Sequence, residues 1–225
     1  MIPWTFLDSA QAPGNGGELK LYQRGAEFSI RVEKCELMNS RHYGSEDALA
    51  ELACKRIADR PHPQVLIGGL GMGYTLRAAL NSLKPDSRVV ISELVPAVVI
   101  WNRGPLAELA NNPLKDSRVI VRELDVGQIM REKQHAYDAI MLDVDNGPEG
   151  LTRKGNDWLY GMSGLKVAYD ALRPKGVLAV WSAGANTAFV RRLRKVGFTV
   201  DEIPVRSRGA RGGARYIVWL AERGD

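Results

Sequence analysis

The sequence predicts an α/β protein with a Rossmann-like, doubly wound, mostly parallel sheet of about seven strands. From Gln64 onward, short apolar runs alternate with helical patterns, the signature of a parallel sheet covered by helices on both faces. Val65-Leu66-Ile67 runs directly into Gly68-Gly69-Leu70-Gly71-Met72-Gly73, and Leu76, Ala79, Leu80 and Leu83 continue at helical spacing, so a strand, a glycine turn and a helix start follow one another. Near the end, Phe198 to Ile203 and Tyr216 to Ala221 are joined by an Arg- and Gly-rich loop with no room for a helical crossover. They are expected to close the sheet as an antiparallel hairpin.

The elements follow in order. Ala12 to Gly17 is turn chemistry, and Leu19 to Tyr22 and Phe28 to Val32 alternate apolar and polar residues, which predicts a small N-terminal hairpin. Ser45 is placed to cap a helix carrying Leu49, Leu52, Ala53 and Ile57, which Arg60-Pro61-His62-Pro63 terminates. Residues 1–62 therefore read as a β/α extension and residues 63–225 as the main domain. Its strands are expected at Val65–Ile67, Arg88–Ser92, Arg118–Arg122, Tyr137–Leu142 and Gly176–Trp181. Helices are expected at Tyr74–Ser82, Pro96–Ala110, Val126–Lys133, Asp157–Leu172 and Thr187–Val196.

Composition narrows the classes. The 225 residues, 45% apolar, suffice for one sizeable core. A net charge of +5 gives a mildly basic surface that does not call for nucleic acid. The two cysteines, Cys35 and Cys54, lack ligand spacing and read as reduced. His42, His62 and His135 are scattered without partners at ligand spacing, so no metal is expected. Neither a signal peptide nor a long apolar run is seen, which leads to the expectation of a cytoplasmic protein without a membrane span.

In a doubly wound sheet the ligand crevice lies outside the carboxyl ends of the strands, so residues just beyond them take priority. Gly69, Gly71 and Gly73 let a ligand lie against main-chain N–H groups at a helix start. Glu93 follows the next strand at about the distance where an acid takes the ribose hydroxyls; a helix-start glutamate is its plainer explanation. Asp125, after the third strand, could meet an adenine edge or cap the following helix. Asp143 and Asp145 end the strongly apolar strand at Leu142 and could bind or deprotonate an amine, although an Asx turn also explains Asp145. Trp158 could line the pocket or pack in the core. Arg191, Arg192, Arg194 and Lys195 read as the solvated face of a helix, and Arg206, Arg208, Arg211 and Arg215 as a basic finger in a solvated loop.

These residues resemble the spermidine synthase (aminopropyltransferase) family within the S-adenosylmethionine-dependent methyltransferase fold. The resemblance runs from about Phe28 to Ser182 and rests on Val65–Arg77, Glu93–Val99, Tyr137–Asp143 and Leu172–Leu178. It implies that Gly69 to Gly73 approach the methionine-like part of an S-adenosylmethionine or decarboxylated S-adenosylmethionine donor. It further implies that Glu93 takes the ribose, that Asp125 lies near the adenine and that Asp143 is the catalytic aspartate. Aminopropyl transfer to a small-molecule amine is the first expectation, with a homodimer as the implied assembly. Methyl transfer to another acceptor and a non-catalytic nucleoside-binding role are the competing readings. The chain departs from the family pattern at Met72, where the family has an aspartate holding the donor's amino group. It also departs at Glu46–Glu51, which lacks the family's Tyr-His pair, and at Asp145, a shifted second aspartate.

Overall fold

A computed structural model describes residues 2–13, 17–33, 35–144 and 157–225, with the side chains of Asp157 and Arg211 excepted. Four N-terminal strands, β1 (Thr5–Gln11), β2 (Glu18–Arg24), β3 (Glu27–Val32) and β4 (Cys35–Asn39), form an antiparallel sheet in that order. The expected hairpin is its centre. The flanking strands were missed because β1 carries Phe6 and Leu7 on exposed positions and β4 has only five residues with Leu37 and Met38 adjacent, so neither shows the half-buried alternation of a strand.

Helix α1 (Gly44–Arg56) follows, two residues earlier than a Ser45 cap requires. The Ser45 hydroxyl donates instead to Glu46 Oε2, at 2.5 Å. Next come β5 (Gln64–Gly68), α2 (Tyr74–Ser82), β6 (Arg88–Ser92), α3 (Pro96–Arg103), β7 (Val119–Arg122), α4 (Val126–Glu132) and β8 (Tyr137–Leu142). After the undescribed segment come α5 (Asp157–Tyr160), α6 (Met162–Ala171), β9 (Leu172–Ser182), α7 (Thr187–Val196), β10 (Phe198–Arg206) and β11 (Arg215–Arg223). Two expected helices are shorter than their apolar spacing suggested. Gly104-Pro105 ends α3, leaving 3-10 turns at Ala107–Ala110 and Pro113–Lys115, and Gly161 separates α5 from α6.

The main sheet has seven strands in the order β10-β11-β9-β8-β5-β6-β7, parallel from β9 to β7 and antiparallel at β10 and β11, as expected. Strand alternation supplies its two faces. Val65, Ile67, Val89, Ile91, Ala139 and Met141 pack with Leu49, Leu76, Val99 and Trp101 from α1, α2 and α3. Leu66, Ile140, Leu142, Leu178 and Val180 pack with Ile129, Leu165, Phe189 and Leu193 from α4, α6 and α7. Leu21, Phe28 and Ile30 of the N-terminal sheet join the first of these cores, so the extension and the main sheet share one apolar interior. On α7, Phe189 and Leu193 are buried and Arg191, Arg194 and Lys195 are exposed, whereas Arg192 donates to the Tyr160 carbonyl at 3.0 Å.

The hairpin loop is not a free finger. Gly44 N–H donates to the Ser207 carbonyl at 2.8 Å, and Arg208 Nη2 lies 2.8 Å from His42 Nε2, which docks the loop on the start of α1. Cys35 is exposed and Cys54 buried, both free, and burial pushes the Cys54 thiol up to about 12. Among the described residues, no helix is long and apolar enough to cross a membrane.

Candidate active site

The chain runs β5-β6-β7 to one side, then returns through β8 and β9 on the other. This makes the β5/β8 boundary the switch point where a crevice opens. Asp143 N–H donates to the Gly68 carbonyl at 3.0 Å and Gly69 N–H to the Ser92 carbonyl at 2.8 Å, so three strand ends are tied together there. Gly69 has a φ of 90°, and a Cβ on it would lie 2.4 Å from the Asp143 carbonyl oxygen; only glycine fits. Gly71, at φ 52°, faces Met38, whose terminal methyl would stand 3.1 Å from a Cβ. Gly69 and Gly71 both line the cleft.

Gly73 does not. A Cβ there would meet Asn102 Oδ1, Ala110 and Pro113, so this glycine serves the tight packing of the turn against α3 and the segment after it. Asn102 is a residue the sequence reading missed. Buried on α3, it donates from Nδ2 to the Gly71 carbonyl at 2.8 Å and the Val98 carbonyl at 2.9 Å, which pins the glycine turn from behind.

Glu93 is 8% exposed and lines the cleft. Oε2 accepts the Leu70 N–H at 3.0 Å and Oε1 the Val95 N–H at 2.8 Å, so one carboxylate joins the glycine turn to the start of α3. Burial raises its pKa and the backbone N–H groups of Val95, Leu70, Leu94 and Gly71 oppose that rise. Asp125 caps α4, accepting from Gly127 N–H at 2.9 Å and Gln128 N–H at 3.2 Å, and also lines the cleft, so its two expected placements coexist.

Trp158, expected in the pocket, does not line it. Its ring packs over Gly127 and beneath the Arg131 guanidinium, 3.8 Å from the ring centroid, while neighbouring Leu159 lines the cleft. Both residues fall in the helix expected over Asp157–Leu172, whose spacing does not say which of them faces inward. Asp145 lies outside the described residues.

Asp143 sits where three spaces meet. Besides the cleft it lines a chamber of about 390 Å³ with Glu36, His42, Glu46, Trp181 and Tyr216, and a small one of about 30 Å³ with Glu46, Gly71, Met72 and Thr75. Its Oδ2 accepts the Thr75 hydroxyl at 2.6 Å. Burial raises the Asp143 pKa, partly offset by that hydrogen bond. Glu46 is pushed up to about 7 by burial and then by the Asp143 charge. Thr75 and Glu46 were also missed as site residues. Their signals were weak, since Thr75 is the second residue of a helix and Glu46 reads as an ordinary first-turn acid. None of the described residues lining these three spaces is Lys or Arg. Burial and the nearby Arg208 and Arg41 lower the His42 pKa, which disfavours a charged ring there.

No family model matches the chain. It is 28% identical over 153 residues to polyamine aminopropyltransferase 1 of Streptomyces coelicolor, a match covering 64% of this chain and 28% of that protein. A polyamine aminopropyltransferase of Oceanobacillus iheyensis is 29% identical over 141 residues, covering 61% of this chain and 25% of that one. The matches thus span only a minor share of the curated relatives' length. Among solved structures, a spermidine synthase in complex with the transition-state analogue AdoDATO superposes with a TM-score of 0.79. Identity there is 18%, over 97% of this chain and 74% of that one. A Burkholderia thailandensis N1-methyltransferase with bound S-adenosylhomocysteine gives a TM-score of 0.56 and 18% identity, over 80% of this chain and 79% of the other. The chain therefore has the fold of these spermidine synthase and methyltransferase structures, and its sequence is similar to part of the two polyamine aminopropyltransferases.

Proposed function

We propose that this chain transfers an aminopropyl group from decarboxylated S-adenosylmethionine to a small amine. The observation that carries the reading is Asp143 at the meeting point of three spaces whose charged lining is acidic. The cleft, with Gly69, Gly71, Glu93 and Asp125, suits the adenosine, Glu93 taking the ribose diol and Asp125 lying toward the base. The donor's sulfonium and ammonium are both cations, and acids favour them. A donor that kept its carboxylate would meet Asp143 and Glu46, with no Lys or Arg among the described lining residues to offset them.

The larger chamber suits the acceptor. Glu36 and Asp143 present carboxylates, and the Trp181 and Tyr216 rings, 4.8 Å apart at their centroids, offer faces to a cationic amine. In the transfer, the amine nitrogen attacks the methylene carbon bonded to sulfur. The carbon–sulfur bond breaks, its electron pair returns to sulfur as the neutral thioether methylthioadenosine, and the proton lost by the amine passes to the Asp143 carboxylate. The sulfonium is already a good leaving group, so alignment and proton removal are the protein's main contributions. Methyl transfer is the second reading, favoured by the apolar Met72 in the glycine turn.

Mass spectrometry of reactions with putrescine, spermidine and other amines separates these readings. Methylthioadenosine and an amine heavier by one aminopropyl group are expected with the decarboxylated donor. S-Adenosylhomocysteine formed from S-adenosylmethionine would overturn the aminopropyl reading, and donor binding without any product would leave a nucleoside-binding role.

A further inference from the structure

The small chamber beside the glycine turn holds two carboxylates, and the transfer step uses only Asp143. Met72, 2% exposed, makes the glycine-turn side of this chamber apolar. Glu46 reaches the same chamber from the first turn of α1. Its described side-chain hydrogen bond is from the neutral Ser45 hydroxyl. Arg77 on α2 is committed elsewhere, donating to Asp47 at 2.6 Å and stacking on the Tyr43 and Tyr74 rings. A partly buried carboxylate facing a second acid, with no Lys or Arg among the described lining residues, is an arrangement that a bound ammonium completes.

We propose that Glu46 binds the terminal ammonium of the donor's aminopropyl arm, so that charge recognition of the donor lies on α1 and not on the glycine turn. This rests on the aminopropyl reading above. Glu46 also lines the larger chamber; the donor is assigned because Leu70, Gly71 and Met72 bound the small chamber and Gly71 of that turn also lines the nucleoside cleft, which puts the small chamber next to the nucleoside. The raised pKa of Glu46 agrees with a site that carries a proton until a cation displaces it. Glu46 is thereby a specificity-determining residue, and Met72 needs no charge.

Calorimetry on the full chain tests this with two probes, decarboxylated S-adenosylmethionine and methylthioadenosine, which lacks the aminopropyl arm. In Glu46→Gln the decarboxylated donor should bind about 10–100-fold more weakly, the loss expected for a hydrogen bond between charged partners. Methylthioadenosine should change less than about twofold, which also certifies the fold, and Glu46→Asp should recover most of the donor affinity. Unchanged donor affinity in Glu46→Gln, an equal loss for both probes, or a rise confined to the KM of the amine would overturn the assignment. If the wild-type chain bound both probes equally, the Glu46 assignment alone would fall; if it bound neither, the aminopropyl reading would fall with it.

Discussion

Asp143→Asn is expected to lower kcat by about 10²–10⁴-fold while leaving donor affinity within a few-fold of wild type, the pattern of a lost general base. The residue stands at the end of β8, where its N–H is held by the Gly68 carbonyl and its carboxylate by the Thr75 hydroxyl, so its position at the edge of the cleft is fixed. Burial raises its pKa, which makes it a better proton acceptor than an exposed aspartate. Asparagine preserves the shape and can still meet the Thr75 hydroxyl, but it cannot take the proton. The same substitution removes the charge that helps push Glu46 up to about 7, so the Glu46 pKa should fall, readable by carbon-13 NMR of the glutamate carboxyls. Turnover at the wild-type rate in Asp143→Asn would sink the proton-acceptor role.

Glu93→Gln is expected to weaken methylthioadenosine binding by about 100-fold and to lower stability by about 1–3 kcal/mol. Both effects come from one geometry. The carboxylate accepts the N–H groups of Leu70 and Val95 on its two oxygens while facing the cleft. An amide has one oxygen, so it turns an NH₂ group toward one of those N–H donors, leaving a buried donor unpaired and loosening the glycine turn. Thermal melting and calorimetry below the melting transition read the two losses separately. A variant that binds methylthioadenosine within twofold of wild type would show that the ribose role belongs to another residue.

Most of the fold is legible in the sequence because its determinants are local. The strands β5, β6 and β8 are short apolar runs bounded by turn residues, and the loop between β10 and β11 has no room for a crossover, so order and direction follow. Strands β1 and β4 are not legible, because β1 is largely exposed and β4 is short, so neither carries a periodic signal. At the site, Gly69, Gly71, Glu93 and Asp143 are found by position, each standing just past a strand end at the switch point. Gly73 and Trp158 miss the cleft because linear spacing does not say which way a turn or a short helix faces. Asn102, Thr75 and Glu46 matter through contacts made across the sheet and the N-terminal extension, and nothing adjacent in the chain marks them.

The account's central claim is that the acidic lining around Asp143 is built for a donor with a sulfonium and an ammonium but no carboxylate. Calorimetric titration of the wild-type chain with decarboxylated S-adenosylmethionine and with S-adenosylmethionine measures that choice directly. Tighter binding of the decarboxylated donor by at least about tenfold is expected, a difference of about 1.4 kcal/mol. Equal affinity, or preference for the carboxylated donor, would contradict it.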